Sequence, residues 1–307
     1  MGTKISWCDE TWNPITGCSP ISEGCEHCWA KQMAEGWLRG KHGYDQVNPF
    51  DVCLHPDKFD PKKTTKHPAK WKKPRKIAVC LMGDLFHEDV PFEWMLKVFE
   101  ECAKYPQHTY LFLTKRPWRT LAFEKWYGEQ KDIDVVGWPP NFWFGVTIEN
   151  QKLAEERLYL LMQTSFAVKY VSYEPGLGPV DFTRVEFPGG NIENVLRGDV
   201  SERAKLSGIK KLNTLDWVIV GGESGARVRP LHPEWARSMR DQCVEAGVPF
   251  FFKQWGTGRY YDDFNHLDLK REKSADIYGG GRKDTEKKGG HILDGQEWKE
   301  FPCQMSS

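Results

Sequence analysis

The sequence predicts an α/β fold, a partial or complete (β/α) TIM-type barrel of parallel strands, on two observations. Short apolar runs end in polar residues or glycine, and most are followed by segments with apolar residues at helical spacing. Runs apolar on both faces are how strands buried on both sides of a parallel sheet read, whereas half-exposed antiparallel strands alternate. About seven such βα units suit a barrel better than an open doubly wound sheet, which is the second choice. The 307 residues suffice for one large domain or two smaller ones.

Taken in order, the first strand is expected at about residues 4–7, followed by a cysteine-bearing loop and a helix from about Trp29 to Trp37. Further strands fall at 76–84, 109–117, 142–150, 167–175, 216–225 and 248–256, and helices at 91–105, 150–163 and 232–247, with caps at Asn150 and Gly247. Residues 1–256 then form the barrel, with insertions at about 41–75 and 182–214. Residues 257–307 form a Gly- and Lys-rich C-terminal extension, in which Ile292, Leu293, Trp298 and Phe301 are available to pack on the barrel.

Lys plus Arg equals Asp plus Glu at 43 each, which removes any global electrostatic reason for nucleic-acid or membrane affinity. The N-terminus has no apolar core of signal-peptide length, and no run approaches the roughly 18 apolar residues of a membrane span, so a cytoplasmic protein is expected. "MGTKIS" fits the loose myristoylation pattern, but Lys4 to Trp7 reads better as a strand. Nine cysteines in a chain of this size do not suggest a disulfide scaffold; Cys80 and Cys102 sit in apolar runs, where a reduced thiol packs as a small hydrophobe. The fourteen tryptophans are read as packing residues.

Ligands of parallel α/β folds bind at the carboxyl ends of the strands, where the loops converge. The polar residues there are Gly83 and Asp84; Thr114, Lys115 and Arg116; Thr147 and Glu149; Ser172 and Glu174; Gly221, Gly222, Glu223 and Ser224; Lys253 and Gln254. Any one of them alone reads as a solvated loop residue or a cap; their recurrence at every strand end points to a site. "VIVGGESG" lacks both G-x-G-x-x-G and G-K-[ST], so a phosphate loop is no better supported than a glycine pair admitting a flat ligand.

"GCSPISEGCEHCWAKQ" places Cys18, Cys25 and Cys28 within eleven positions. The C-x2-C pair puts two thiolates on one side of a tight turn, suited to a metal or a cluster. A structural zinc needs a fourth ligand, for which His27 and Cys8 are candidates, but no second C-x2-C or H-x3-H pair exists. Three cysteines without a fourth fit a [4Fe–4S] cluster with one iron left open.

A three-cysteine loop followed by a barrel resembles the radical S-adenosylmethionine superfamily. The set "TWNPITGCSPISEGCEHCWA", "GDLFHEDVP", "LTKRP", "FGVTIEN", "VSYEPGLGPV", "DWVIVGGESG", "PFFFKQWG" and "LDGQEWKEFP" resembles the phage Gp37/Gp68-type family of radical-SAM-like proteins (DUF5131) over nearly the whole chain. The spacing departs from the superfamily's usual C-x3-C-x2-C, being C-x6-C-x2-C with His27 before the last cysteine. The resemblance implies that Cys18, Cys25 and Cys28 hold three irons of the cluster while the fourth binds S-adenosyl-L-methionine, cleaved reductively to a 5′-deoxyadenosyl radical. It places Gly83 and Asp84 at the methionyl amino group, Glu174 or Ser172 at the ribose hydroxyls, and Gly221 and Gly222 beside the adenine. His27, Thr114, Lys115 and Glu223 complete the cofactor-binding set, Glu149 and Lys253 are the catalytic candidates, and an electron donor such as flavodoxin or ferredoxin is implied.

"KHPAKWKKPRK" carries six Lys or Arg between Lys66 and Lys76 around Trp71, a composition suited to phosphate contacts and stacking, although a solvated connection is the blander reading. Lys115 and Arg116 suit a phosphate or carboxylate equally. The first functional expectation is a radical SAM enzyme acting on a nucleic acid base, nucleotide or other phosphate-bearing substrate. The second is a non-enzymatic zinc- or Fe–S-containing nucleic-acid-binding protein, and the third a metal-free hydrolase using Glu149, Glu174 or Glu223.

Overall fold

The computed structural model describes residues 3–132, 137–198, 213–225, 227–257 and 290–303. In chain order the elements are β1 (Glu10–Trp12), β2 (Ile15–Thr16), α1 (Trp29–Glu35), β3 (Cys53–Leu54), β4 (Lys76–Val79), α2 (Phe92–Ala103), β5 (Thr109–Thr114), α3 (Pro117–Lys131), β6 (Phe142–Ile148), α4 (Gln151–Gln163), β7 (Val168–Tyr173), β8 (Val185–Phe187), β9 (Asn191–Glu193), β10 (Trp217–Gly221), α5 (Pro233–Ala246), β11 (Phe250–Gln254), β12 (Ile292–Leu293) and β13 (Gln296–Glu297).

Seven strands form one sheet in the order β1-β4-β5-β6-β7-β10-β11, with parallel registers such as Glu10 opposite Ile77 and Leu111 opposite Trp143. The order follows the chain without reversal. A doubly wound sheet reverses at a switch point, so the winding is that of a partial (β/α) barrel and the open-sheet alternative is set aside.

The chain divides into two compact units, residues 1–147 with 157–170, and residues 148–156 with 171–307. In the first, α2 turns Met95, Val98, Phe99 and Cys102 inward, the helical spacing of a core-facing stripe. Phe99 stacks on Phe112 at 4.7 Å and packs against Trp138 at 4.6 Å. In the second, α5 buries Ala236, Met239 and Cys243 and ends at Gly247 in the left-handed conformation. Residues 290–303 lie along the outer edge of β11: Phe252 N–H donates to Trp298 O at 2.9 Å, and Phe251 bridges Lys299 antiparallel. Phe301 packs on Trp217 and Phe251, and Arg237 and Arg240 both bind Asp294. An unpaired strand edge is thereby covered. The part of the extension at 258–289 and residues 199–212 of the second insertion lie outside the described residues.

Three expectations are corrected. No strand forms at 4–7: Cys8 N–H turns back to Ile5 O, Trp7 is buried, and pairing begins at Glu10 once Asp9 has accepted Lys76 N–H at 2.7 Å. The first helix stops at Glu35 because Gly36 caps it. Helix α3, unanticipated, starts with Pro117 in its first turn, where a missing N–H costs nothing. Among the described residues no helix is long and apolar enough to cross a membrane.

Candidate functional site

In the first unit the cysteine loop is built on close backbone approach. Gly17 has φ +86° and bridges Gly83 in parallel; a Cβ on Gly83 would stand 2.5 Å from Gly17 O, and one on Gly17 2.0 Å from Asp51 O. Gly17 N–H donates to Met82 O and Cys18 N–H to Phe50 O. The need for glycine at 83, expected to lie in ligand contact, is explained by this packing of the loop onto the end of β4.

Arg116, directly after β5, is 1 % exposed and has an acceptor for each of its five N–H groups. Nε donates to Glu88 at 2.8 Å, Nη1 to Cys18 Sγ and to Asp84 at 3.3 Å each, and Nη2 to Ser19 O at 2.9 Å and Ser19 Oγ at 3.0 Å. The sequence offered Arg116 to a substrate anion; its fork is instead spent inside the protein. Lys115 Nζ reaches Ser22 Oγ at 3.3 Å and Cys25 Sγ at 3.5 Å.

Asp84 accepts from Thr114 Oγ1, Phe86 N, Lys115 N and Arg116 Nη1. Four donors occupy the roughly four lone-pair sites of a carboxylate, so Asp84 aims Arg116 and the end of β5. His87 Nδ1 accepts Asp89 N–H, and its Nε2 lies 3.2 Å from Ser19 N and 2.7 Å from Ser19 Oγ, so the ring holds both polar groups of Ser19. Ser19, His87 and Glu88 were not singled out from the sequence, although "GDLFHEDVP" contains the last two.

This clamp explains the six-residue gap between Cys18 and Cys25. Ser19 is held by Arg116 and His87, a 3-10 turn spans Glu23–Cys25, and Cys25 returns close enough for its charge to act on Cys18. Burial, then the Asp84 charge, push the Cys18 thiol up to about 12 against the pull of Arg116. At Cys25 burial opposes ionisation, yet Lys115 and hydrogen bonds from Ile21 and Ser22 hold the thiol below its ordinary value. Cys28 heads α1 and packs against Ala30, Ala34, Leu38, Tyr44 and Met82. His27 O accepts from Gln32 Nε2, and Cys8 is buried. Among the described residues no three His, Cys, Asp or Glu side chains form a set that holds one metal ion. Tetrahedral zinc would need its thiolates about 4 Å apart. A four-iron cluster takes each thiolate on its own iron and spreads them further, and two cations facing two thiols suit its anionic ligand set.

In the second unit, Lys253 Nζ pairs with Glu174 Oε1 at 2.7 Å and Ser172 Oγ donates to Glu174 Oε2 at 3.1 Å. Gly221 lies against that carboxylate, where a Cβ would be 2.5 Å from Oε1. Gly222 closes on Trp255 O, and Glu223 is taken by Arg229, Nη2 to Oε1 at 2.6 Å. Glu149 is fully buried, and its carbonyl accepts from Leu177 and Gly178 N–H. The expected residues thus group as Cys18, Cys25, Asp84, Thr114 and Lys115 in one unit and as Ser172, Glu174, Gly221 and Lys253 in the other.

No curated protein and no solved structure matches the chain. A family model described as "Protein of unknown function (DUF5131)" matches residues 2–302. The chain, matched over nearly its whole length, belongs to that family.

Proposed function

We propose that the chain is a radical S-adenosylmethionine enzyme whose [4Fe–4S] cluster is held by Cys18, Cys25 and Cys28, acting on a nucleic acid base, nucleotide or other phosphate-bearing substrate. The observation that carries this reading is that two cations leaving one strand end, Lys115 and Arg116, reach two of the three thiols. The likeness of the motifs to phage Gp37/Gp68-type radical-SAM-like proteins supports it. When bound, such a cluster supplies the electron that cleaves the sulfonium cofactor.

The chain's own residues supply orientation and charge. Arg116 fixes Cys18 and Ser19 in place before any ligand binds, with Asp84 and Glu88 fixing Arg116. Lys115 favours the thiolate of Cys25. In the second unit, Lys253 and Ser172 each hold one oxygen of the Glu174 carboxylate and so fix its orientation. A protein reductant of the flavodoxin or ferredoxin kind and a cytoplasmic setting, where thiols stay reduced, belong to the same reading.

Anaerobic reconstitution with iron and sulfide tests it. About four irons per chain, lost on Cys18→Ala, Cys25→Ala or Cys28→Ala, with 5′-deoxyadenosine released on reduction, are the expected results. One tightly held zinc and no cofactor cleavage would overturn it.

A further inference from the structure

Residues 62–76, "KKTTKHPAKWKKPRK", hold eight Lys or Arg and no Asp or Glu, in a chain of zero formal net charge. The nearby carboxylates are already engaged: Asp57 with Lys58, Asp60 with Lys63, Glu10 with Lys66, and Glu101 with Lys104. Lys70, Lys72, Lys73 and Arg75 are exposed, and among the described residues none of the four has a carboxylate in ion-pair reach.

The backbone displaying them is pinned. His67 is buried and its Nδ1 accepts Ala69 N–H; Trp71 N–H returns to Pro68 O; Arg75 N–H donates to His108 Nδ1; Thr109 N–H donates to Arg75 O. Four cations with no carboxylate partner among the described residues stand on a held backbone, so little backbone freedom is lost on meeting an anion. Trp71, half-buried, packs edge-on against His108, ring centroids 6.2 Å apart.

The segment enters β4 at its amino end and lies beside the amino end of β5, whereas Gly83 and Arg116 follow the carboxyl ends of these strands. It therefore lies at the opposite end of these strands from the cysteine loop, roughly 17 Å of strand away at 3.3 Å per residue. We infer that Lys70, Lys72, Lys73 and Arg75 form a docking face for the phosphodiester backbone of a nucleic acid, read by charge without base recognition and separate from the cysteine site.

The test is fluorescence anisotropy of a labelled oligonucleotide with the full chain, titrated from about 50 to 200 mM salt. Four phosphate contacts predict a slope of log affinity against log salt of about −3.6 on duplex, the same for unrelated sequences. Lys72→Gln with Lys73→Gln should flatten it by about 1.8, while Lys125→Gln with Lys152→Gln, removing equal charge from other exposed positions, should leave it unchanged. Equal effects of the two pairs, no effect of the first, or preferential binding to anionic phospholipid vesicles would overturn the inference. The result does not depend on a cluster: binding by a protein that fails to reconstitute would refute the proposed function alone.

Discussion

Arg116 Nη1 stands 3.3 Å from Cys18 Sγ and the same distance from Asp84 Oδ2, so one buried guanidinium joins the end of β5 to the cysteine loop. Its exposure of 1 % and its five acceptors make it the keystone of the loop. Removing it in Arg116→Ala leaves Asp84 buried without its cation, and loss of one partner of a buried pair costs about 3–5 kcal/mol. Denaturant unfolding is expected to show a loss of that order. Arg116→Lys should restore only part of it, since an ammonium cannot serve five directions. Full stability in both variants would contradict the assignment.

Lys115 sets which thiol reacts first. With Cys25 held below its ordinary value and Cys18 pushed up to about 12, iodoacetamide at neutral pH should label Cys25 well before Cys18 in cluster-free protein. Lys115→Met should slow Cys25 labelling, read by peptide mass spectrometry. Labelling of Cys25 that does not respond to Lys115 would show that the contact is idle.

The second unit makes an independent prediction about Glu174 and Lys253, 2.7 Å apart and both largely buried. Lys253→Met strands the carboxylate and should cost about 1–3 kcal/mol; Glu174→Gln in that background should recover much of it. A double-mutant cycle reads the coupling, expected at about 1 kcal/mol or more. Coupling near zero would mean the pair is not formed in solution.

Acid should destabilise the fold earlier than its carboxylates alone would. Burial comes first among the causes that lower His55, His67 and His108 below the ordinary histidine value. The unfolded chain therefore takes up protons below about pH 6.5 that the folded chain refuses, and stability falls as pH drops from there toward the folded values. Melting temperature is expected to decline between about pH 7 and 5.5, less so in His108→Gln. A flat profile would place these rings in contact with water.

How far the sequence reveals this molecule depends on the distance over which each feature is written. Strands such as β5 and β6 are legible because both faces are buried and the run stays apolar. Residues 4–7 mislead because Trp7, apolar and strand-prone, is buried in a turn. Helix α3 escapes notice because its aromatic residues surround the axis, with Trp118 exposed and Phe123 buried on the same helix. The three cysteines are visible from spacing alone. The partners that tune them are not: 98 positions separate Arg116 from Cys18 and 90 separate Lys115 from Cys25, so only the parallel winding brings them together.

Binding of S-adenosyl-L-methionine at an open iron is what would separate the proposed radical SAM site from other uses of three cysteines. Electron paramagnetic resonance of the reconstituted, reduced protein, recorded with and without S-adenosyl-L-methionine, addresses it at the metal. An open iron predicts a reduced [4Fe–4S] signal that changes when the cofactor is added and vanishes in Cys25→Ala. A cluster signal indifferent to the cofactor, or no cluster signal at all, would contradict it.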